Sequence, residues 1–274
     1  MSRAFGAADW TSPGCGKPAL ETGRPLERRL LSSGGERVFL LDAPDTLTPG
    51  KPVPLLFDFH GFGHSARGVW RVSAFREIAG REAFLTVYPE GETVTLRGRT
   101  GRGWEIFSAE GNRDLEFVAR MAEFLEREYC IDRRRMYATG FSNGGFFSLL
   151  LACTMADRIA AVAPVGAALP PVACRPARAV PVLFHHGWDD EVVPVALARK
   201  ARDHWVRHNG CGRPEAKNGC EFYAGCRNGA EVGYCEGEFG HHWPLPATRR
   251  IWEFFRRQKL PDAAVPNREG ASTR

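Results

Sequence analysis

YATGFSNGGFFSLL, residues 137–150, places one serine, Ser142, between Gly140 and Gly144 with apolar residues running away on both sides. Upstream, RMYATGFS reads as a short strand. Downstream, GGFFSLLLACTMA reads as a helix apolar on almost every side, which makes it central and buried. A serine on a sharp strand-to-helix turn has its hydroxyl projected outward, the arrangement of a nucleophile elbow. Such a turn crowds the backbone, and β-carbons at 140 and 144 would collide with it. The following helix aims its first N–H groups and its dipole at the same point, where negative charge develops during acyl transfer. A G-x-S-x-G pattern alone is a modest signal; the strand before it and the buried helix after it give it meaning.

Working outward, strand-like and helix-like segments alternate, which predicts an α/β fold with a mostly parallel central sheet and helices on both faces. ERVFLLDAP (36–44), VPLLFDFHG (53–61), FLTVYPEG (84–91), IAAVAPVG (159–166), AVPVLFHHG (179–187) and EVGYCEG (231–237) read as strands. Several are nearly continuous apolar runs, as expected of strands covered on both sides. Helical spacing predicts helices near 69–83, over 114–129 with Asp114 as N-cap, over 195–209 with Leu197, Ala201 and Trp205 inward, and over 247–257. Residues 92–112 read as a long loop. We expect one domain over residues 1–274, with residues 1–20 a surface arm and 261–274 a polar tail.

A serine hydroxyl needs a base, and the base needs an acceptor that holds it in one tautomer. In a fold of this kind the partners follow in the order acid, then histidine, each just after a strand. Asp189 and Asp190 follow the 179–187 strand, and His241 and His242 follow the last one. Spacing does not choose within either pair. The oxyanion hole needs two main-chain N–H groups: that of Asn143, directly after the serine, and one near Phe62 in the glycine-rich stretch FHGFGHSARG. His60 reads mainly as an organiser of that loop. Trp104, Trp188 and Trp243 either wall the site structurally or, with His60, contact substrate, since an aromatic rim suits a phenolic acyl group or a sugar face. Trp205 and Trp252 read as core.

Composition bounds the rest. Hydrophobic residues make up 43% and charged residues 25% of 274, an ordinary globular balance, and the net charge of +5 is spread along the chain. No basic run carries the aromatic interleaving of a nucleic-acid surface. No apolar stretch approaches the roughly 18 residues that cross a membrane. Eight cysteines are present, four of them at 211, 220, 226 and 235. Gaps of nine, six and nine do not match the paired spacing of a zinc cluster, so bridging within that loop-rich group is expected, in an oxidising compartment. The N-terminus has no apolar signal core, and we read the chain as the mature form of a secreted protein. No metal or other cofactor is required, and a monomer is expected.

The combination His60-Gly61, Gly140-Phe-Ser142-Asn-Gly144-Gly145, His186-Gly-x-x-Asp190-x-x-Val-Pro194 and Gly240-His241-x-Trp243-Pro244 resembles the feruloyl esterase and polyhydroxybutyrate depolymerase-like family of α/β-hydrolases, carbohydrate esterase family 1. GCGKP near the start and the HNGC, YAGC and YC cysteine pattern look like the secreted feruloyl esterases of that group. The resemblance implies a Ser-His-Asp esterase with Asp190 as acid and His241 as base. It implies hydroxycinnamoyl esters of plant cell-wall polysaccharide as substrate, with polyester cleavage or acetylxylan deacetylation as alternatives. A non-catalytic binding protein on the same scaffold is the reading of a different class.

Overall fold

Strand β3 (Val53–Phe59) is buried at every position, and it sits near the middle of a ten-stranded sheet. The computed structural model describes residues 10–17, 21–32 and 34–262; the expected arm at 1–9 and 18–20 and the tail at 263–274 lie outside the described residues. In chain order, β1 (Gly23–Ser32) and β2 (Gly35–Ala43) form a hairpin, and β3 leads into α1 (Ala66–Ser73) and α2 (Phe75–Glu82). Then come β4 (Leu85–Pro89), a separate two-stranded hairpin of β5 (Glu92–Leu96) and β6 (Arg99–Gly103), and α3 (Arg113–Glu128). Strand β7 (Ile131–Phe141) runs into α4 (Asn143–Thr154), followed by β8 (Ala161–Val165), β9 (Val182–Gly187) and α5 (Val195–Asn209). Strands β10 (Pro214–Lys217), β11 (Cys220–Tyr223) and β12 (Val232–Gly237) precede α6 (Ala247–Phe255).

The sheet order is β1-β2-β4-β3-β7-β8-β9-β12-β11-β10. The six strands from β4 to β12 are parallel, and the pairs at each end are antiparallel. In β3, Leu55, Phe57 and Phe59 join a core shared with α3, α4 and α5, while Leu56 joins one shared with α2 and α6. Both faces are therefore dry, which is why the parallel strands read as unbroken apolar runs. Helix α4 is the most enclosed: ten of its twelve residues are buried.

Several local expectations are corrected. The helix expected near 69–83 is two helices, because Ala74 takes a left-handed conformation with φ of 53°. The N-cap of α3 is Asn112, whose Oδ1 accepts the N–H groups of Asp114 and Leu115; Asp114 instead pairs with Arg37 at 2.8 Å and accepts the Glu105 N–H. Leu197 is 41% exposed at the start of α5, where Ala198, Ala201 and Trp205 face inward. The stretch 92–112 contains the β5–β6 hairpin, and the cysteine-rich stretch is a meander that extends the sheet. Bridges Cys211–Cys226 and Cys220–Cys235 lie within that meander, with Cys15–Cys130 and Cys153–Cys174 elsewhere. The segment around Ser12 is held on the strand before the site by Ser12 Oγ, which donates to Tyr129 O and accepts from Ile131 N–H.

Candidate active site

Strand β7 ends at Phe141, and the next residue carries φ of 52° and ψ of −120°. A non-glycine side chain in that region costs about 1–3 kcal/mol and persists only where the surroundings enforce it. Here Ser142 N–H donates to Val165 O at 2.8 Å, and α4 starts at Asn143. The flanking glycines are obligatory. A β-carbon on Gly140 would sit 2.6 Å from the Gly144 main chain, and one on Gly144 would sit 2.6 Å from His60 O.

Three side chains from separate loops converge. His241 Nε2 lies 2.8 Å from Ser142 Oγ, and His241 Nδ1 lies 2.7 Å from Asp190 Oδ2. Asp190 comes from the loop after β9, His241 from the loop after β12. The Asp190 side chain is fully buried, and its other oxygen accepts the N–H groups of Val192 and Val193 at 2.9 and 2.8 Å. Those two bonds fix the carboxylate and leave Oδ2 for the imidazole. His186 Nε2 donates to Val193 O, closing the same loop, and burial lowers its pKa so that it stays neutral. Ser142 and His241 remain partly open to solvent.

The histidine is held from three sides. Asp189 Oδ1 accepts the Gly240 N–H at 2.8 Å, and this bond is the main reason its carboxyl lies below the usual range. The Phe141 ring packs against the imidazole at 4.8 Å between centroids. Gly166, after β8, has φ of 59°, and a β-carbon there would lie 3.4 Å from His241 Nδ1. Thus the two adjacent aspartates divide the work: one faces the imidazole and the other the backbone that carries it.

On the opposite side, Asn143 opens α4, so its N–H has no acceptor within the helix. The loop after β3 reaches the serine: a β-carbon on Gly61 would be 3.5 Å from Ser142 Cβ. The half-buried Phe62 lays its ring over β6, where β-carbons on Gly101 and Gly103 would meet it at 2.9 and 3.3 Å. His60 is fully buried, with Nδ1 donating to Gly61 O and Nε2 accepting from Gly91 N–H, and burial lowers its pKa to about 4. It orders the loop and has no surface for a substrate.

The tryptophans separate. Trp104 is a correction: it is fully buried, stacked on Phe147 at 5.2 Å, and cannot form a rim. Trp243 is half-buried, donates to Thr248 Oγ1 and packs edge-on against Phe75, tying α6 to the α1–α2 turn. Trp188 is 53% exposed two residues before Asp190, with Val192 49% exposed two residues after it. Trp205 and Trp252 are core, as expected. Sequence reasoning missed Asp189 and Gly166 as supports of the histidine. The Asp-Asp doublet was a visible signal for the first, whereas nothing local marks the second.

Residues 115–214 match the model of a family described as Phospholipase/Carboxylesterase. The chain is 28% identical over 280 residues to Feruloyl esterase D of Neurospora crassa, covering 92% of each chain. It is 28% identical over 250 residues to Feruloyl esterase B of Piromyces equi, covering 82% of this chain and 46% of that longer protein. Among solved structures, an acetyl xylan esterase from Aspergillus awamori superposes with a TM-score of 0.68 at 14% identity, over 84% of this chain and 99% of that one. Sheet order, elbow and the superposition agree: the chain has the α/β-hydrolase fold, and feruloyl esterases are among the proteins it is similar to.

Proposed function

We propose that this protein hydrolyses carboxylic esters through an acyl-enzyme on Ser142, and that its substrates are hydroxycinnamoyl esters of plant cell-wall polysaccharide. The observation that carries the reading is the unbroken line from Ser142 Oγ to His241 Nε2 and from His241 Nδ1 to Asp190 Oδ2. Ser142 attacks the ester carbonyl while His241 takes its proton. The N–H groups of Asn143 and Phe62 receive the oxyanion. His241 returns the proton to the leaving alcohol, and water then repeats the sequence to release the acid. Asp190 keeps Nδ1 protonated and stabilises the imidazolium. No metal or organic cofactor enters any step.

The aromatic acyl group is supported by the feruloyl esterase relatives and by exposed Trp188 and Val192 beside the acid, apolar surface that a phenolic ring would cover. The four disulfides support an extracellular place of work. Acetylxylan deacetylation is the second reading, favoured by the fold match to an acetyl xylan esterase. Rates on methyl ferulate and on acetylated xylan separate the two. Faster release of ferulate, abolished by Ser142→Ala, is expected; fast deacetylation with negligible ferulate release would move the assignment to the second reading.

A further inference from the structure

Trp104 touches both halves of the oxyanion site without facing it. Its main chain and the Asn143 side chain form a reciprocal pair: Trp104 N–H donates to Asn143 Oδ1 at 2.8 Å, and Asn143 Nδ2 donates to Trp104 O at 3.1 Å. Its indole Nε1 donates to the main-chain oxygen of His60 at 2.9 Å. His60 directly precedes Gly61 and Phe62. One residue upstream of Trp104, a β-carbon on Gly103 would lie 2.7 Å from Asn143 Oδ1, so only glycine lets the strand come this close. Two residues upstream, Arg102 O accepts the Gly63 N–H at 2.8 Å. Residues 102–104 therefore bond to the segment on each side of the serine.

We propose that Trp104 is a positioning residue that fixes the separation between the two oxyanion-hole donors. The inference rests on the oxyanion assignment above. A tetrahedral oxyanion is stabilised when both N–H groups aim at one point, and a donor displaced by a fraction of an ångström forfeits much of its contribution. The two donor segments pack against each other where Gly144 meets His60 O and Gly61 meets Ser142, and those contacts limit how closely they approach without bonding them together. Trp104 supplies the bonded strut, holding Asn143 with its main chain and His60 with its side chain. Its ring is clamped for the purpose: fully buried, stacked on Phe147 with the planes 18° apart, and edge-on to Phe59 at 5.1 Å. The geometry predicts a role in the transition state, with little effect on binding of the planar ester.

Trp104→Phe keeps an aromatic ring and removes the Nε1 donor; Asn143→Ala removes the pair from the other side and leaves the N–H of residue 143 in place. Steady-state rates with p-nitrophenyl acetate are referred to sites titrated to completion with a fluorophosphonate, so that misfolded molecules do not lower kcat. We expect kcat roughly tenfold lower in each variant with KM within twofold of the parent. Inhibition by a boronic acid, whose adduct places an oxygen between the donors, should weaken by a similar factor, while inhibition by free ferulate should not change. Parent kcat and parent boronate inhibition in both variants would overturn the proposal. Failure of the underlying reading has a different signature: turnover that survives Ser142→Ala.

Discussion

Asp189 accepts a hydrogen bond from the main-chain N–H of Gly240, one residue before His241, across 51 positions of sequence. The neighbouring Asp190 holds the imidazole itself. A doublet of acids thus aligns a side chain and the backbone beneath it. Asp189→Ala removes the backbone anchor, and kcat should fall by about tenfold with KM little changed, since small displacements of a proton-transfer group are costly. Asp189→Asn keeps an acceptor oxygen and should recover most of the loss. Equal damage from both variants would mean that charge, not the bond to Gly240, is what matters.

Gly166→Ala should be more severe. The substitution puts a β-carbon 3.4 Å from two atoms of the His241 ring, at a φ of 59° that costs about 1–2 kcal/mol for an L-residue. A drop of about a hundredfold in kcat/KM is expected, with folding retained. Kinetics and thermal melting on the same preparation check it.

Asp58 gives a pH signature of stability. It is fully buried, and burial, only partly offset by the nearby Ser73 hydroxyl, raises its pKa to about 7. Between about pH 4 and pH 7 the folded protein holds a proton there that the unfolded chain has lost. Stability therefore falls as pH rises through that window, by up to about 1.4 kcal/mol per unit. Asp58→Asn mimics the neutral acid and lacks that slope. The buried His60 and His185, with pKa values lowered to about 4 and about 3, act oppositely below pH 6.5, but they are common to both proteins and cancel in the difference. Unfolding free energies at pH 4.5, 6 and 8 should show the variant gaining on the parent with each step. A constant difference would refute the assignment.

The four bridges leave no free cysteine in the chain. Denatured, non-reduced protein should show no titratable thiol. Removing Cys15–Cys130, which closes 115 residues, should cost more than removing Cys220–Cys235, which closes 15. The chain-entropy account gives nearly 5 against about 3 kcal/mol. Urea unfolding of the two double-serine variants measures the order.

The elbow was legible in the sequence because its requirements are local: two glycines, a strand and a buried helix around one serine. The acid and the histidine followed from chain order, although choosing within each doublet drew on family resemblance. The β5–β6 hairpin was not legible. TVTLRGRTGRG is polar and glycine-rich, its strands pair only with each other, and its packing partner Phe62 lies some forty residues away in sequence. Trp104 was misplaced for the same reason. A tryptophan on a polar stretch at the ligand end of a sheet reads as rim, and only the paired glycines before it hint that the backbone dives inward. Leu197 fits the helical period, but in the first turn of α5 it is Ala198, not Leu197, that is buried.

In the proposed mechanism the hydroxyl at 142 is the group that carries the acyl chain. The most direct measurement is peptide mapping of disulfide-intact protein after reaction with a fluorophosphonate. One adduct per chain, on the peptide containing Ser142 and lost in His241→Ala, is the predicted result. An adduct on another residue, or none, would contradict the account.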